Sequence, residues 1–236
     1  MVLSAPQAHQ VARVLRLRPG DPIGILDGSG AECAAVLEAV SPARAVARLQ
    51  EWHLCPAEPR THLALGLGLL KGEKMEWAIQ KVTEVGASRI LPVACARSVV
   101  RLEEERAAGK VRRWQQIAQE AAEQCRRGRV PQVAAPLSWP ALLDHAAGAD
   151  VTLLADEQEA TPLAEALRTA LPPRPRDPTQ PARVLLLIGP EGGFTPEETT
   201  AARAVGAIPV SLGPRILRAE TAAVVGAALL LHLLEE

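Results

Sequence analysis

The chain has 236 residues, of which 48% are hydrophobic and 22% are charged, and its formal net charge is −1. This composition is that of a folded globular protein and excludes disorder as the dominant state. The near-zero charge exerts no global attraction on nucleic acid, so any contact with RNA has to come from a local basic patch.

The sequence carries no signal for a membrane, for secretion or for a metal. No apolar run reaches the length of a transmembrane helix, and the residues after Met1 lack the pattern of a signal peptide, so we expect a cytoplasmic location and no membrane partner. No CxxC pair or Cys/His cluster has the spacing of metal ligands, so we expect no metal site. Reduced, mostly buried thiols are expected at Cys33, Cys55, Cys95 and Cys125.

The first sixty residues predict a small β-barrel-like domain. Ile23–Asp27, Ala31–Val40 and Ala45–Leu49 have the composition of strands, and Gly28-Ser29-Gly30 between the first two predicts a hairpin turn. The prolines of Cys55–Arg60 disfavour a helix and indicate a linker. We therefore predict one domain over residues 1–60 and a second over residues 61–236.

The second domain alternates apolar strands with amphipathic helices, which predicts an α/β fold built on a parallel sheet. Val184–Ile188 is almost entirely aliphatic, as expected of a central strand covered on both faces. The other predicted strands are Leu63–Leu69, Ile90–Val93, Val151–Ala155 and Val210–Leu212. The predicted helices include Gly72–Gly86, Arg101–Cys125 and Glu220–Leu234.

The first candidate ligand loop follows the strand 184–188, at the strand end where open parallel sheets bind their ligands. Its sequence is Gly189-Pro190-Glu191-Gly192-Gly193-Phe194, in which the glycines let a ligand approach the backbone closely. Thr195-Pro196-Glu197-Glu198 then forms a capping box that predicts a helix start. An ordinary strand-to-helix loop has the same composition. A phosphate loop is disfavoured, because the GxxxxGK[ST] pattern is absent and Glu191 would repel phosphate.

The second candidate loop is Leu212-Gly213-Pro214-Arg215-Ile216-Leu217-Arg218. Apolar side chains at Ile216 and Leu217 are unfavourable in an exposed loop unless they contact something. An apolar wall with free backbone amides suits a flat heteroaromatic group such as adenine. Arg218 and Glu220 flank the same turn, and their simplest interpretation is a surface ion pair.

A local basic patch lies between Arg97 and Pro131, where nine basic side chains outnumber five acidic ones. Arginines of this segment are candidate contacts for RNA phosphates, and each of them is also compatible with a solvated surface charge.

The two loops closely resemble those of SPOUT-class methyltransferases, and more specifically those of the bacterial 16S ribosomal RNA uridine-N3 methyltransferase family. The resemblance extends over almost the whole chain, with matching motifs in order at Val14–Asp21, Lys81–Gly86, Arg97–Val100 and Glu120–Pro131. One segment departs from the family pattern. Where the family usually has a Gln-Ser-Gly-Arg segment, this chain has Gln124-Cys125-Arg126-Arg127.

The resemblance implies an N-terminal PUA-like RNA-binding β-barrel domain and a C-terminal SPOUT-type α/β domain with a deep trefoil knot. It also implies a homodimer, S-adenosyl-L-methionine (AdoMet) as cofactor, and methylation of N3 of a uridine in the 16S ribosomal RNA of the small ribosomal subunit.

The resemblance also suggests roles for individual residues. Arg218 and Glu191 are the expected catalytic residues, with Arg218 stabilising negative charge on the carbonyl oxygens beside N3. The expected cofactor contacts are Leu187, Ile188, Gly189, Pro190, Glu191, Gly192, Gly193, Leu212, Gly213, Ile216, Leu217 and Arg218. The expected RNA contacts are Arg13, Arg16, Arg97, Arg126, Arg127 and Arg129.

Two other functional classes fit the sequence less well than a methyltransferase. A phosphotransferase would need a lysine or metal-binding carboxylates beside the glycine loop, and neither is apparent in the sequence. A non-catalytic RNA-binding protein would use the arginines alone and would not need both glycine-containing loops.

Overall fold

The computed structural model describes residues 1–100, 104–159, 161–171 and 181–235. Contacts divide the chain into two units, the first comprising Met1–Glu58 and Arg126–Arg129 and the second Pro59–Cys125 and Val130–Glu236. The start of the helix predicted from Arg101 lies outside the described residues. No helix within the described ranges combines the length and apolarity needed to cross a membrane.

The first unit contains a three-stranded antiparallel sheet in the order β1-β2-β3. Its strands are β1 (Pro22–Leu26), β2 (Ala31–Val40) and β3 (Ala45–Leu54), preceded by α1 (Ala5–His9) and a π-helical turn at Gln10–Val14. The predicted hairpin turn is confirmed, with Gly28 and Gly30 at φ of 82° and 104°, angles that glycine adopts without strain. Strand β3 runs five residues beyond its predicted end, and the closed barrel stays a prediction.

The core of the first unit lies on one face of this sheet. Alternate residues of β2 are buried, including Ala35 and Leu37, and they pack with Leu3, Ala8 and Val11 from the N-terminal segment. Because side chains alternate between the two faces of a strand, this pattern leaves the other face of β2 toward solvent.

The four residues Arg126–Arg129 lie with the first unit, although the prediction assigns them to the second domain. The Glu58 carboxylate accepts hydrogen bonds from the Arg127 guanidinium at 3.0 and 3.1 Å and from the Arg129 amide at 3.0 Å. The Gly30 amide also donates to the Gly128 carbonyl at 3.0 Å. These bonds join residues far apart in the sequence, which composition and periodicity do not reveal.

The second unit is built on a seven-stranded sheet in the order β10-β8-β9-β4-β5-β6, with β7 also paired to β5. All of its pairings are parallel, which confirms the predicted α/β class. The strands are β4 (His62–Gly68), β5 (Arg89–Ala94), β6 (Gln132–Val133), β7 (Leu137–Ser138), β8 (Val151–Ala155), β9 (Arg183–Ile188) and β10 (Ile208–Val210). The helices are α2 (Glu73–Val85), α3 (Glu104–Gln124), α4 (Trp139–Leu143), α5 (Leu163–Ala170), α6 (Pro196–Ala204) and α7 (Ala219–Glu235).

Strand β9 is central and covered on both faces, as its aliphatic sequence predicts. Val184, Leu186 and Ile188 pack into one hydrophobic cluster, and Leu185 and Leu187 pack into the cluster on the opposite face. The short elements β6, β7 and α4 were not predicted, because two to five residues are too few to show a hydrophobic period. Strand β10 ends at Val210, two residues before its predicted end, so Leu212 belongs to the following loop.

Candidate cofactor site

A cavity of about 1080 Å³ lies at the carboxyl ends of three neighbouring strands, β9, β8 and β10. It is lined by both predicted loops, hereafter the glycine loop (Gly189–Phe194) and the β10 loop (Leu212–Arg218). Eleven of the twelve predicted cofactor residues line it, namely Ile188, Gly189, Pro190, Glu191, Gly192, Gly193, Leu212, Gly213, Ile216, Leu217 and Arg218. The topology therefore brings two segments that are distant in the sequence into one site.

Leu187 is the predicted cofactor residue that does not line this cavity. It is fully buried, and it packs in the cluster on the face of β9 opposite to that of Ile188. Its backbone lies between Gly66 of β4 and Leu154 of β8 in the sheet. Consecutive strand residues point to opposite faces of the sheet. The Leu187 side chain therefore packs in the core on one face, while Ile188, on the other face, lines the cavity.

The glycine loop is fastened to the loop after β5 by two charged side chains. The Arg97 guanidinium donates hydrogen bonds of 3.0 Å to the carbonyls of Gly192 and Phe194. The buried Glu198 carboxylate accepts from the Ala96 amide at 2.7 Å and from the Thr195 amide at 2.9 Å. Thr195 in turn caps the Glu198 amide, which confirms the predicted capping box. Arg97 therefore holds the glycine loop in place, a contact that the sequence did not reveal.

The close approach of β4 to the glycine loop depends on Gly68. A Cβ at this position would collide with the ring and nitrogen of Pro190. Gly68 is thus needed because another segment of backbone occupies the space of a side chain. The sequence shows this glycine, but only the pairing of β4 with β9 shows what lies beside it.

Glu191 is hydrogen-bonded to the start of α2 and to the residue two positions before it. Its carboxylate accepts hydrogen bonds of 3.3 Å from the Lys71 amide and from the Lys74 ammonium. Burial raises the pKa of Glu191, but hydrogen bonds from its own amide, from Lys71 and from Lys74 outweigh that effect and lower the pKa below its usual value. A carboxylate with a lowered pKa is a weak base, so this geometry fits orientation better than proton abstraction.

Two predicted side chains of the β10 loop, Ile216 and Arg218, line the cavity and are exposed. Ile216 is 80% exposed, an unfavourable state for an aliphatic side chain that a ligand would relieve. The exposed Arg218 guanidinium makes no hydrogen bond or ion pair with the parts of the chain that the structure describes. Among the same residues, no group of His, Cys, Asp and Glu could hold a metal ion.

The cavity fits a ligand of the size and chemistry of AdoMet. Its volume is slightly above the usual range for small-molecule sites, so it has room for such a ligand. The exposed apolar wall of Ile216 suits a heteroaromatic ring, and the exposed glycine backbone offers hydrogen-bond donors and acceptors. The carboxylates of the loop after β8, Asp156–Glu159, also line it and suit a cationic or hydroxyl-bearing ligand. That third loop was not predicted, although β8 was, because the sequence does not show that β8 lies between β9 and β10.

The six predicted RNA-contacting arginines differ in their availability. Arg13, Arg16 and Arg126 are exposed in the first unit, and Arg129 is partly exposed and donates to the Ser29 carbonyl at 3.2 Å. Arg97 belongs to the second unit and holds the glycine loop. The side chain of Arg127 is only 2% exposed and forms a bidentate ion pair with Glu58, so the structure does not present it to a phosphate. Arg127 is therefore withdrawn from the expected RNA contacts.

Comparison with known proteins gives the family. A profile described as an RNA methyltransferase domain matches residues 57–231, and one described as an RNA methyltransferase PUA domain matches residues 3–50. The ribosomal RNA small subunit methyltransferase E of Bacillus subtilis is 34% identical over 93% of this chain and 85% of its own length. The protein of the same name from Synechocystis is 36% identical over 100% of this chain and 74% of its own length.

Solved structures agree with this assignment. The crystal structure of a ribosomal RNA small subunit methyltransferase E from Neisseria gonorrhoeae bound to S-adenosyl methionine superposes with a TM-score of 0.83 at 30% identity. The match covers 99% of this chain and 91% of that one. The chain therefore belongs to the ribosomal RNA small subunit methyltransferase E family of RNA methyltransferases.

Proposed function

We propose that this protein transfers a methyl group from AdoMet to N3 of a uridine in the 16S ribosomal RNA of the small ribosomal subunit. The observation that carries the proposal is the cavity where the glycine loop and the β10 loop meet at the ends of parallel strands, in a chain whose relatives include an enzyme solved with S-adenosyl methionine. A PUA domain and a set of exposed arginines support an RNA substrate.

The proposed chemistry assigns distinct tasks to the residues of the cavity. AdoMet would supply the methyl group, and the backbone of both loops would hold it in line with the acceptor, where positioning accounts for much of the acceleration. The N3 of uridine carries a proton and becomes a good nucleophile only when that proton leaves. The unpaired Arg218 guanidinium would stabilise the negative charge that then develops on the flanking carbonyl oxygens. Glu191, held by Lys71 and Lys74, would orient the glycine loop.

The proposed RNA-binding surface consists of arginines of the first unit that would contact phosphates. Arg13, Arg16 and Arg126 present exposed guanidinium groups there, and Arg129 presents a partly exposed one. Contacts of this kind position the phosphate backbone and carry no sequence information, so the choice of uridine has to be made at the cavity.

The proposed location of the activity is the cytoplasm, and a closed PUA-like barrel and a trefoil knot complete the proposed fold.

The proposed assembly is a homodimer. Apolar side chains are exposed on two helices of the second unit that pack together, with Trp77 of α2 44% exposed and Leu229 and Leu233 of α7 each 38% exposed. A second subunit that covered these side chains would remove apolar surface from water, which favours association. Light scattering should give twice the chain mass for the wild type and a lower mass for Leu229→Glu combined with Leu233→Glu.

A methylation assay tests the proposed activity. Small ribosomal subunits and naked 16S ribosomal RNA from cells lacking this enzyme are incubated with the protein and AdoMet, and the digested nucleosides are analysed by mass spectrometry. We expect one additional 3-methyluridine per RNA in at least one of these substrates. Arg218→Ala should lower turnover far more than it lowers AdoMet affinity measured by calorimetry. An unchanged nucleoside profile with both substrates would refute the activity, and wild-type turnover of Arg218→Ala would remove Arg218 from the mechanism.

A further inference from the structure

The loop after β8, Asp156–Glu159, lies between the two loops that the sequence singled out. Strand β8 is hydrogen-bonded to β10 on one side and to β9 on the other, so its carboxyl end opens into the middle of the cavity. Three of its four residues are acidic. We propose that one of them, Glu157, binds the ribose hydroxyls of the adenosine half of the cofactor, an inference that rests on the proposed function.

The other two carboxylates of this loop are already used by the protein. The Asp156 carboxylate accepts a hydrogen bond of 3.0 Å from the Gln158 amide and so shapes the turn. The Glu159 carboxylate accepts one of 2.9 Å from the Arg203 guanidinium. Glu157 is exposed and makes no hydrogen bond or ion pair within the described ranges of the chain. It is thus the acidic group of the loop that is free to receive a ligand.

The position of Glu157 points to the adenosine half of the ligand. Glu157 lines the main cavity and also an adjoining one of about 420 Å³, and Gly213, Arg215 and Ile216 line both as well. Glu157 therefore shares the lining of both cavities with Ile216, whose exposed side chain is the apolar wall that suits adenine. The group attached directly to adenine is the ribose, whose hydroxyls are hydrogen-bond donors.

A carboxylate is chemically suited to bind the hydroxyls of a ribose. An ionised carboxylate only accepts hydrogen bonds, and its two oxygens can receive two vicinal hydroxyls. An acidic side chain near the end of a parallel strand recognises ribose in the same way in dinucleotide-binding sheets. A hydrogen bond to a charged group of this kind accounts for about tenfold or more in affinity.

Calorimetry with ribose-modified ligands tests the assignment. The ligands are AdoMet, S-adenosylhomocysteine, and the 2′-deoxy and 3′-deoxy analogues of S-adenosylhomocysteine. The proteins are the wild type, Glu157→Ala and the matched control Glu165→Ala, which removes an exposed carboxylate that lines neither cavity. We expect the wild type to bind at least one deoxy analogue about tenfold more weakly than the parent. Glu157→Ala should bind parent and analogue with equal affinity, whereas Glu165→Ala should keep the wild-type preference although the protein has again lost one exposed carboxylate.

Each other outcome has a definite meaning. A Glu157→Ala protein that still discriminates against the deoxy analogues overturns the proposal, and so does an equal loss of affinity for S-adenosylhomocysteine and both of its deoxy analogues. A loss confined to AdoMet, with S-adenosylhomocysteine unaffected, would place Glu157 near the sulfonium and also overturn it. Failure of the wild type to bind either AdoMet or S-adenosylhomocysteine would refute the proposed function itself, which separates the two results.

Discussion

Replacing Arg126 by glycine should make the protein more stable while weakening its binding to RNA. Arg126 follows the end of helix α3 at φ of 61°, the left-handed region in which glycine is favoured. A side chain in that conformation costs roughly 1–2 kcal/mol. Glycine also gains freedom in the unfolded chain, which offsets about 0.4–1 kcal/mol. The net gain of Arg126→Gly is therefore about 0.5–1 kcal/mol, a rise in Tm of about 2 °C for a chain of this size.

Arg126→Gly also removes an exposed guanidinium from the segment Arg126–Arg129, which hydrogen bonds to Glu58 hold in place. Glu58 accepts from the Arg127 side chain and from the Arg129 amide, so the backbone on the C-terminal side of Arg126 is fixed. If Arg126 contacts one phosphate, its loss should reduce the slope of log affinity against log salt by about 0.7–0.9. Fluorescence anisotropy with a fragment of 16S ribosomal RNA at several salt concentrations measures this slope, and calorimetric melting measures stability.

Arg126→Ala separates the two effects, because alanine removes the charge and keeps the strained backbone. We expect Arg126→Ala to share the reduced salt slope without the gain in stability. Equal melting temperatures for the glycine and alanine variants would refute the argument from the left-handed backbone. An unchanged salt slope in both variants would show that Arg126 contacts no phosphate.

Three further predictions concern buried groups. Glu58→Gln removes a carboxylate charge that is paired with the buried Arg127 guanidinium and should lower the free energy of unfolding in urea by about 3–5 kcal/mol. Gly68→Ala forces Pro190 away from β4 and should weaken AdoMet binding by about tenfold or more, measured by calorimetry. Burial, reinforced by the nearby Glu198 charge, raises the pKa of Cys95 to about 12, so iodoacetamide at pH 8.5 should leave this thiol unmodified in the folded protein and alkylate it after unfolding.

Matched controls make these results interpretable. Arg48→Ala breaks the exposed pair with Glu38 and should change stability by about 1 kcal/mol or less, so a similar loss from Glu58→Gln would contradict the burial argument. Gly148→Ala introduces a Cβ that meets nothing within 4 Å and should leave AdoMet affinity unchanged. If Gly68→Ala behaves in the same way, the close approach of Pro190 is unimportant for the cofactor. Rapid alkylation of folded Cys95 would contradict its protonated, buried state.

Local patterns in the sequence were sufficient to predict many of the strands, helices and loops of the second unit. The aliphatic run Val184–Ile188, the capping box at Thr195–Glu198 and the helical period of residues 72–86 each depend on neighbours within a few positions, and the structure confirms all three. The two loops that line the cavity were found for the same reason, since strand ends in parallel sheets are where ligands bind. The family resemblance supplied the cofactor, which no local pattern specifies.

The remaining features depend on which distant segments meet. Arg127 looks like any exposed arginine in the sequence, and only its pairing with Glu58 shows that it is buried. Arg97 is predicted as a phosphate contact, and only the structure shows that it also donates to the Gly192 and Phe194 carbonyls. The carboxylates after β8 enter the site because β8 is inserted between β9 and β10. Periodicity and composition are set by neighbours along the chain, whereas strand order and buried charge pairs are set by packing between segments far apart in it, and only the tertiary structure decides those.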